Sequence, residues 1–511
     1  MDLLWNGGIG TYVKAAGETD AEVGDRSNDR VRLNAAQLRC RVIGEGGNLG
    51  LTQAARIEYA LAGGRVNADF VDNAGGVNTS DHEVNLKILL GSALDAGLLD
   101  VAARDQLLAS CAEEVVESIL QDNRSQTLAI SVAEHQAPFL LDRHEHVIGN
   151  LELLTGLDRA RENLPTTQDI AQRRARGIGL VRPEIAVLLA HAKNLTRGVI
   201  ADSEMATDTS MLDVLFGYFP ARLRERFADQ IRGHPLAREI IATRVANDLL
   251  NRVGPGFMYR VEDRTGSTVA QAVRACVVVR DVFGLEQVWD QVEPLPPVVA
   301  TPVRHGLEDT FEHNVCWLLR RRPEVVDIGT ERDYLSPNVR RLRRWLEQQR
   351  GEPAGTNLRA QVRALVAQGV SEELARICCA IGLLLPALDL ASTAMQEGCD
   401  VTDLAEQYFV VGERLELGWM AEMLPVGPAD SHWEQLAKAA LRDEMCALQV
   451  TLAADSLRAG GADPWFSRNT QVLDRAHASY TDLATAGGSD AAVLAVGVQV
   501  LRDIAHAATG H

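Results

Sequence analysis

Lysine is nearly absent from this sequence. Among 511 residues there are four, Lys14, Lys87, Lys193 and Lys438, and arginine supplies all other basic side chains. A guanidinium stays protonated at any working pH, so chemistry that needs a tunable amine has only those four candidates. Positive charge is short overall. The 51 basic and 70 acidic residues give a formal charge of −19, a field that repels a polyanion and argues against nucleic acid as a partner. Long apolar runs are missing too: none reaches the roughly 18 residues that a membrane span needs, so no membrane association is expected. Residues 1–10 hold no basic stretch ahead of an apolar one, so no secretory signal is expected and the chain is expected in the cytoplasm. The eight cysteines, at 40, 111, 276, 316, 378, 379, 399 and 446, include no Cys-x-x-Cys pair. That spacing argues against a disulfide framework or a structural zinc and predicts reduced, mainly buried thiols.

What is present is an ordinary globular balance, 46% hydrophobic and 24% charged, with length for roughly three units at about 150 residues each. Residues 1–100 differ in texture from the rest. Two short strand-like runs, 38–43 and 68–71, are each followed by a glycine cluster and a helical pattern. A separation of about 28 residues suits one βαβ crossover, so the two runs are expected to be parallel neighbours with both glycine loops on one sheet edge, where ligands bind in such sheets. Leu3 to Trp5 is a further apolar stub, and two strands alone are few for an open sheet, which implies either a very small sheet or further strands outside this sequence. From about residue 84 onward apolar residues recur at three and four spacing, predicting a mainly helical remainder. Breaks are expected at 164–168, 252–256, 294–302 and 351–355, each rich in Pro, Gly or Asn. Residues 273–283 suit either a strand or a buried helix.

Two loops carry the candidate chemistry. The first reads Gly44-Glu45-Gly46-Gly47-Asn48-Leu49-Gly50-Leu51-Thr52. Its glycine spacing departs from G-x-G-x-x-G, so by itself it is also explained as a strand-to-helix turn capped by Thr52. The second reads Asp72-Asn73-Ala74-Gly75-Gly76-Val77-Asn78-Thr79-Ser80-Asp81-His82-Glu83. Ser80 and Glu83 have the spacing of a capping box, which would make Ser80 a helix N-cap; alternatively a hydroxyl at a helix N-terminus is a carboxylate receptor. The amides of Asn48 and Asn73 can read a carboxamide or a sugar hydroxyl, since each both donates and accepts. His144-Glu145-His146 is expected to be a solvated turn and not a metal site, because i and i+2 on a helix point about 200° apart. Cys378-Cys379 is expected in the core.

Glu45-Gly46-Gly47-Asn48 with Thr52, then Asn73-Ala74-Gly75-Gly76-Val77 with Ser80 and Glu83, resemble the paired motifs in the coenzyme domain of glutamate dehydrogenases. The opening Trp5-Asn6-Gly7-Gly8-Ile9-Gly10-Thr11-Tyr12-Val13-Lys14, the Asp81-His82-Glu83-Val84-Asn85 helix start, Arg182-Pro183-Glu184 and His234-Pro235-Leu236 resemble one branch, the large NAD-specific enzymes of bacteria. The resemblance implies an α/β N-terminal part, a remnant of a Rossmann-like parallel sheet, followed by a large mainly α-helical region. It divides the chain into 1–100, part of an NAD-binding domain, and helical regions 101–300 and 301–511. It implies NAD as cofactor, L-glutamate and 2-oxoglutarate as substrate and product, and a homo-oligomer as the intact enzyme. Asn48 and Asn73 would lie near the nicotinamide and its ribose, and Val77 with Ser80 at the side-chain carboxylate of glutamate. Gly47 stands where the smaller enzymes of the family usually have alanine, a change expected to matter little since both are small. The family's catalytic lysine, catalytic aspartate and phosphate loop precede these motifs, so they are expected upstream of Met1. The chain is expected to be a C-terminal portion, inactive alone. The rival expectation, from a different class, is a non-catalytic helical scaffold or regulatory module.

Overall fold

The computed structural model of the chain describes residues 2–322, 327–349, 354–424, 431–486 and 491–509. They fall into two compact units, Met1–Arg260 and Val261–His511.

The first unit opens with the only strands among the described residues. β1 (Leu3–Asn6) pairs in parallel with β4 (Val42–Glu45), Leu3 opposite Val42 through Asn6 opposite Glu45, and β2 (Val13–Lys14) pairs in parallel with β3 (Leu33–Asn34). Two-stranded sheets are marginal in water unless something covers them. Here Val13, Ile43, Leu51, Ala55, Tyr59 and Val66 form one small core under them. The apolar stub at the start is therefore a strand. A short helix α1 (Asp20–Val23) lies between β2 and β3, and α2 (Gln53–Leu61) follows β4. Thr52 caps α2 as expected, its Oγ1 accepting from Ala55 N at 3.1 Å.

The expected second strand at 68–71 is corrected: Asp69–Asp72 is a helical turn, α3, running into α4 (Ala74–Asp95). The ladder partners of β4 are β1 and, at Val42, Arg65. The physical reason lies in two aspartates. One turn of helix puts residues three apart on one face, and Asp69 and Asp72 both use that face to accept backbone N–H groups of the first glycine loop, from Leu49 at 2.7 Å and Glu45 at 3.0 Å. An extended segment would send the two in opposite directions.

Helices α5 (Val101–Ser110), α6 (Ala112–Gln136), α7 (Leu141–Thr155), α8 (Thr167–Ala175) and α9 (Arg182–Asp202), with Ala237–Val253, complete the larger elements of this unit. The Arg182-Pro183-Glu184 segment starts α9. Glu184, fully buried, takes two hydrogen bonds from Arg173 at 2.7 Å and one from Val181 N at 2.8 Å. His144 and His146 lie inside α7 and not in a solvated turn; His144 is buried and His146 bonds the Asp142 carbonyl at 2.8 Å.

Every described residue of the second unit is helical or in short connections. Val269–Phe283 is a helix, settling the 273–283 ambiguity, and Cys378 and Cys379 are buried on Glu372–Gly382. All eight cysteines are free and six are buried. The expected breaks at 164–168 and 252–256 fall between helices, whereas Pro302 is accommodated inside the helix Pro297–Arg321. Of the expected break at 351–355, residues 351–353 lie outside the described residues. Ala491–Ala508 is long and apolar enough to cross a membrane by length and composition, which corrects the expectation that no segment qualifies. Its apolar residues are periodic: Leu494, Val498, Leu501 and Ile504 are buried in one core with Trp465 and Tyr480.

Candidate functional site

The loops after β1 and β4 leave the same edge of the sheet, because the strands are parallel. The second of them is held by a buried ionic platform. Glu45, at the end of β4 and fully buried, receives Arg56 Nε at 2.7 Å and Arg56 Nη2 at 3.0 Å, and also accepts Leu51 N at 3.0 Å. Arg56 reaches Asp69 at 3.2 Å, and Asp72 takes Asn67 Nδ2 at 2.7 Å with its second oxygen. Burial pushes the Glu45 carboxyl up, against the opposing pull of Arg56. Sequence reasoning did not single out Arg56, Asp69 or Asp72. The available signal was an arginine at an otherwise apolar face of α2, whose neighbours Ala55, Ile57 and Tyr59 are all buried.

On this platform the two asparagines meet. Asn73 Nδ2 donates to Asn48 Oδ1 at 2.6 Å, on the exposed side of the unit. Asn48 sits in the loop after β4, and Asn73 is the residue between α3 and α4. The contact leaves the Asn48 Nδ2 donors and the Asn73 Oδ1 acceptor for a ligand. A Cβ at Gly76 would come to 3.0 Å from that Asn73 oxygen, so glycine keeps it clear.

Val77 and Ser80 follow on α4, and Val77 is 67% exposed. They are three residues apart and so share a helix face. The reading of Ser80 as an N-cap is corrected: α4 begins at Ala74, seats the buried Ala74 side chain, and carries Ser80 in its interior with Oγ donating to the Val77 carbonyl at 2.8 Å. Glu83 pairs with Lys87 one turn on instead of with a cap. His82 anchors the same helix from beneath. Its ring stacks on Tyr218 with centroids 4.4 Å apart, and burial pulls its pKa down to about 4.

The first glycine loop is shaped by close approach. A Cβ on Gly47 would lie 2.4 Å from the Gly8 carbonyl oxygen, and one on Gly50 would lie 1.6 Å from Asn6 Nδ2. Alanine at position 47 is therefore not equivalent here, because the backbone after β1 already occupies that space.

The lysines are placed as follows. Lys14 donates to the Glu18 carbonyl at 2.6 Å, Lys87 pairs with Glu83, Lys193 donates to Gln126 Oε1 at 2.6 Å, and Lys438 is buried. Among the described residues no group of three or more His, Cys, Asp or Glu side chains could hold a metal ion.

Comparison with known proteins adds two family matches. Residues 1–133 match the family described as bacterial NAD-glutamate dehydrogenase, catalytic domain, and residues 177–503 match glutamate dehydrogenase, C-terminal. Proteins named NAD-specific glutamate dehydrogenase are similar across nearly the whole chain. The one from Halomonas elongata is 38% identical over 518 residues, covering 99% of this chain and 32% of the relative. Those from Pseudomonas aeruginosa and Mycobacterium tuberculosis are each 36% identical, over 99% and 98% of this chain, again covering 32% of the relative. The chain thus spans about a third of the length of the curated relatives it matches.

Proposed function

Because the chain belongs to the bacterial NAD-specific glutamate dehydrogenase family, we propose that it supplies part of the coenzyme and substrate pocket of an enzyme converting L-glutamate, NAD and water to 2-oxoglutarate, ammonium and NADH. The contact between Asn73 and Asn48 carries this reading. It joins two separate segments at the carboxyl edge of a parallel sheet, the side on which such sheets bind ligands, and leaves one amide donor group and one acceptor facing out. Those complement a carboxamide or a ribose hydroxyl. NAD, when bound, supplies the hydride acceptor.

This chain's own residues orient and exclude. Val77 offers an apolar surface that displaces water, and Ser80 offers a hydroxyl. In the structure that hydroxyl gives its hydrogen to the Val77 carbonyl, so receiving a glutamate carboxylate asks it to swing the hydrogen to the new acceptor. Lys14 donates to the Glu18 carbonyl, Lys87 pairs with Glu83, and neither sits in a glycine-rich substrate loop. We therefore read the 511-residue chain as inactive by itself. Homo-oligomeric assembly, a cytoplasmic location, no nucleic-acid or membrane partner, and a division near residues 100 and 300 complete the proposal.

The test is a progress curve of NADH formation from glutamate and NAD. The chain alone is expected to give none, and the chain joined to the remainder of its Halomonas elongata relative is expected to turn over. Turnover by the chain alone would overturn the division of labour. No turnover from a folded joined protein would favour a non-catalytic scaffold.

A further inference from the structure

Behind the exposed face of α4 lies a partly open cavity of about 220 Å³, lined mainly from α4, α6, α9 and the helix Ala237–Val253. Phe70 and Leu189 form part of its apolar wall. Two cations from α9, Lys193 and Arg197, line it together with the amides of Asn78, Asn194 and Asn247. Lys193 and Arg197 are four residues apart and so stand one above the other on one helix face, an arrangement that is unfavourable for like charges left to themselves.

Asp122 and Asp248 act on the Lys193 ammonium through space, but both are held by Arg244, at 2.9 Å and 3.4 Å. Lys193 gives one hydrogen to Gln126 and keeps two. Among the described residues the side chains of Arg197, Asn78, Asn194 and Asn247 form no hydrogen bond or ion pair. Burial pulls the Lys193 ammonium down to about 8, so it is still mostly protonated at neutral pH while poorly solvated. Two cations and three amides line one partly open space, and no acidic side chain is among its lining residues.

We propose that this cavity binds a small dicarboxylate, one carboxylate on Lys193 and one on Arg197, with the asparagine amides taking the remaining oxygens. It is separate from the face of Asn48, Asn73 and Ser80, although both are built on the first turns of α4. Asn78 lies one residue from Val77, which is about 100° around the helix. The proposal does not depend on the coenzyme reading, since it concerns other residues.

The test is calorimetric titration of the 511-residue chain with succinate, which has two carboxylates and no amine to oxidise. Saturable binding at millimolar concentration or below is expected. Lys193→Gln and Arg197→Gln should each weaken it about tenfold or more, the loss of a charge-assisted hydrogen bond. Lys193→Arg and Ser80→Asp should leave it within about threefold, since the first keeps the charge and the second lies on the other face. Arg197 is exposed, so its variant is expected to fold even if Lys193→Gln does not. Absence of saturable binding would overturn the proposal, as would affinity that ignores both cation variants. Equal loss in Ser80→Asp would assign the binding to the substrate face instead, and inorganic phosphate binding as tightly as succinate would overturn the dicarboxylate class.

Discussion

Arg56→Met is the perturbation that the buried platform makes most costly. The guanidinium gives Glu45 two hydrogen bonds, at 2.7 and 3.0 Å, and reaches Asp69 at 3.2 Å. Methionine keeps most of the volume and none of the charge. Glu45, fully buried, is then left with the single Leu51 N–H. Stranding one partner of a buried pair costs about 3–5 kcal/mol, against which the apolar contact of methionine offsets little. The observable is amide hydrogen exchange in the peptides spanning β4 and α2, which reports the local opening free energy of this segment without requiring the whole chain to unfold in one step. Two controls sharpen the expectation. Glu45→Leu combined with Arg56→Met should recover most of the loss, because a matched apolar pair replaces a matched ionic one. The cost of Arg56→Met alone should also shrink on acidification: burial raises the folded-state pKa of Glu45, and an acid raised in this way destabilises least when protonated, so the penalty grows as pH rises through that value. A change below about 0.5 kcal/mol for the single variant, or a double variant no better than the single one, would refute this account of the platform.

Gly47→Ala should lower the melting temperature and disturb exchange protection at residues 6–10, since its Cβ would meet the Gly8 carbonyl at 2.4 Å; overpacking of this kind costs about 1–3 kcal/mol, and an unchanged melting profile would contradict it. Ser80→Ala should be neutral or slightly stabilising, since Ser80 is helix interior and alanine is the better helix former by a few tenths of a kcal/mol. Ser80→Asp in the joined enzyme should lower kcat/KM for glutamate by about tenfold or more, through repulsion of a carboxylate; folded Ser80→Asp enzyme with unchanged glutamate kinetics would remove Ser80 from the pocket. His82 has a folded-state pKa lowered by burial from 6.5 to about 4. The stability it allows is complete above about pH 6.5 and is lost as pH falls toward 4, because the unfolded chain takes up the proton first. His82→Phe, which keeps the stack on Tyr218, should therefore show a shallower fall of melting temperature over that window, and identical pH profiles would contradict it.

The residues of the exposed face were legible because they come in two contiguous motifs. Asn48 and Asn73 each follow a recognisable turn signal, and the structure brings them within 2.6 Å. The same motifs misled about local conformation. Residues 68–71 look extended by composition, yet two aspartates three apart satisfy more backbone donors as a helical turn than as a strand, and that preference is visible only once the loop 44–50 is in place. Ser80 has capping-box spacing from Glu83, but Asn73 and Ala74 start the helix earlier. The Glu45, Arg56 and Asp69 platform is signalled only by an arginine on the apolar face of α2, and the Lys193 cavity joins segments far apart in the chain, which no local periodicity signals. The large helical remainder was legible from its three and four spacing, which also explains why Val269–Phe283, buried nearly all round, carried too little periodicity to be told from a strand.

The amide pair is what the functional reading stands on, and the KM for NAD of Asn73→Ala in the joined enzyme tests it most directly. Asn73 keeps its backbone role at the start of α4 as alanine, while the amide that holds Asn48 is lost. An increase in KM for NAD of about tenfold or more, with the melting temperature unchanged, is the expected result. An unchanged KM for NAD in folded enzyme would contradict it and place the coenzyme elsewhere.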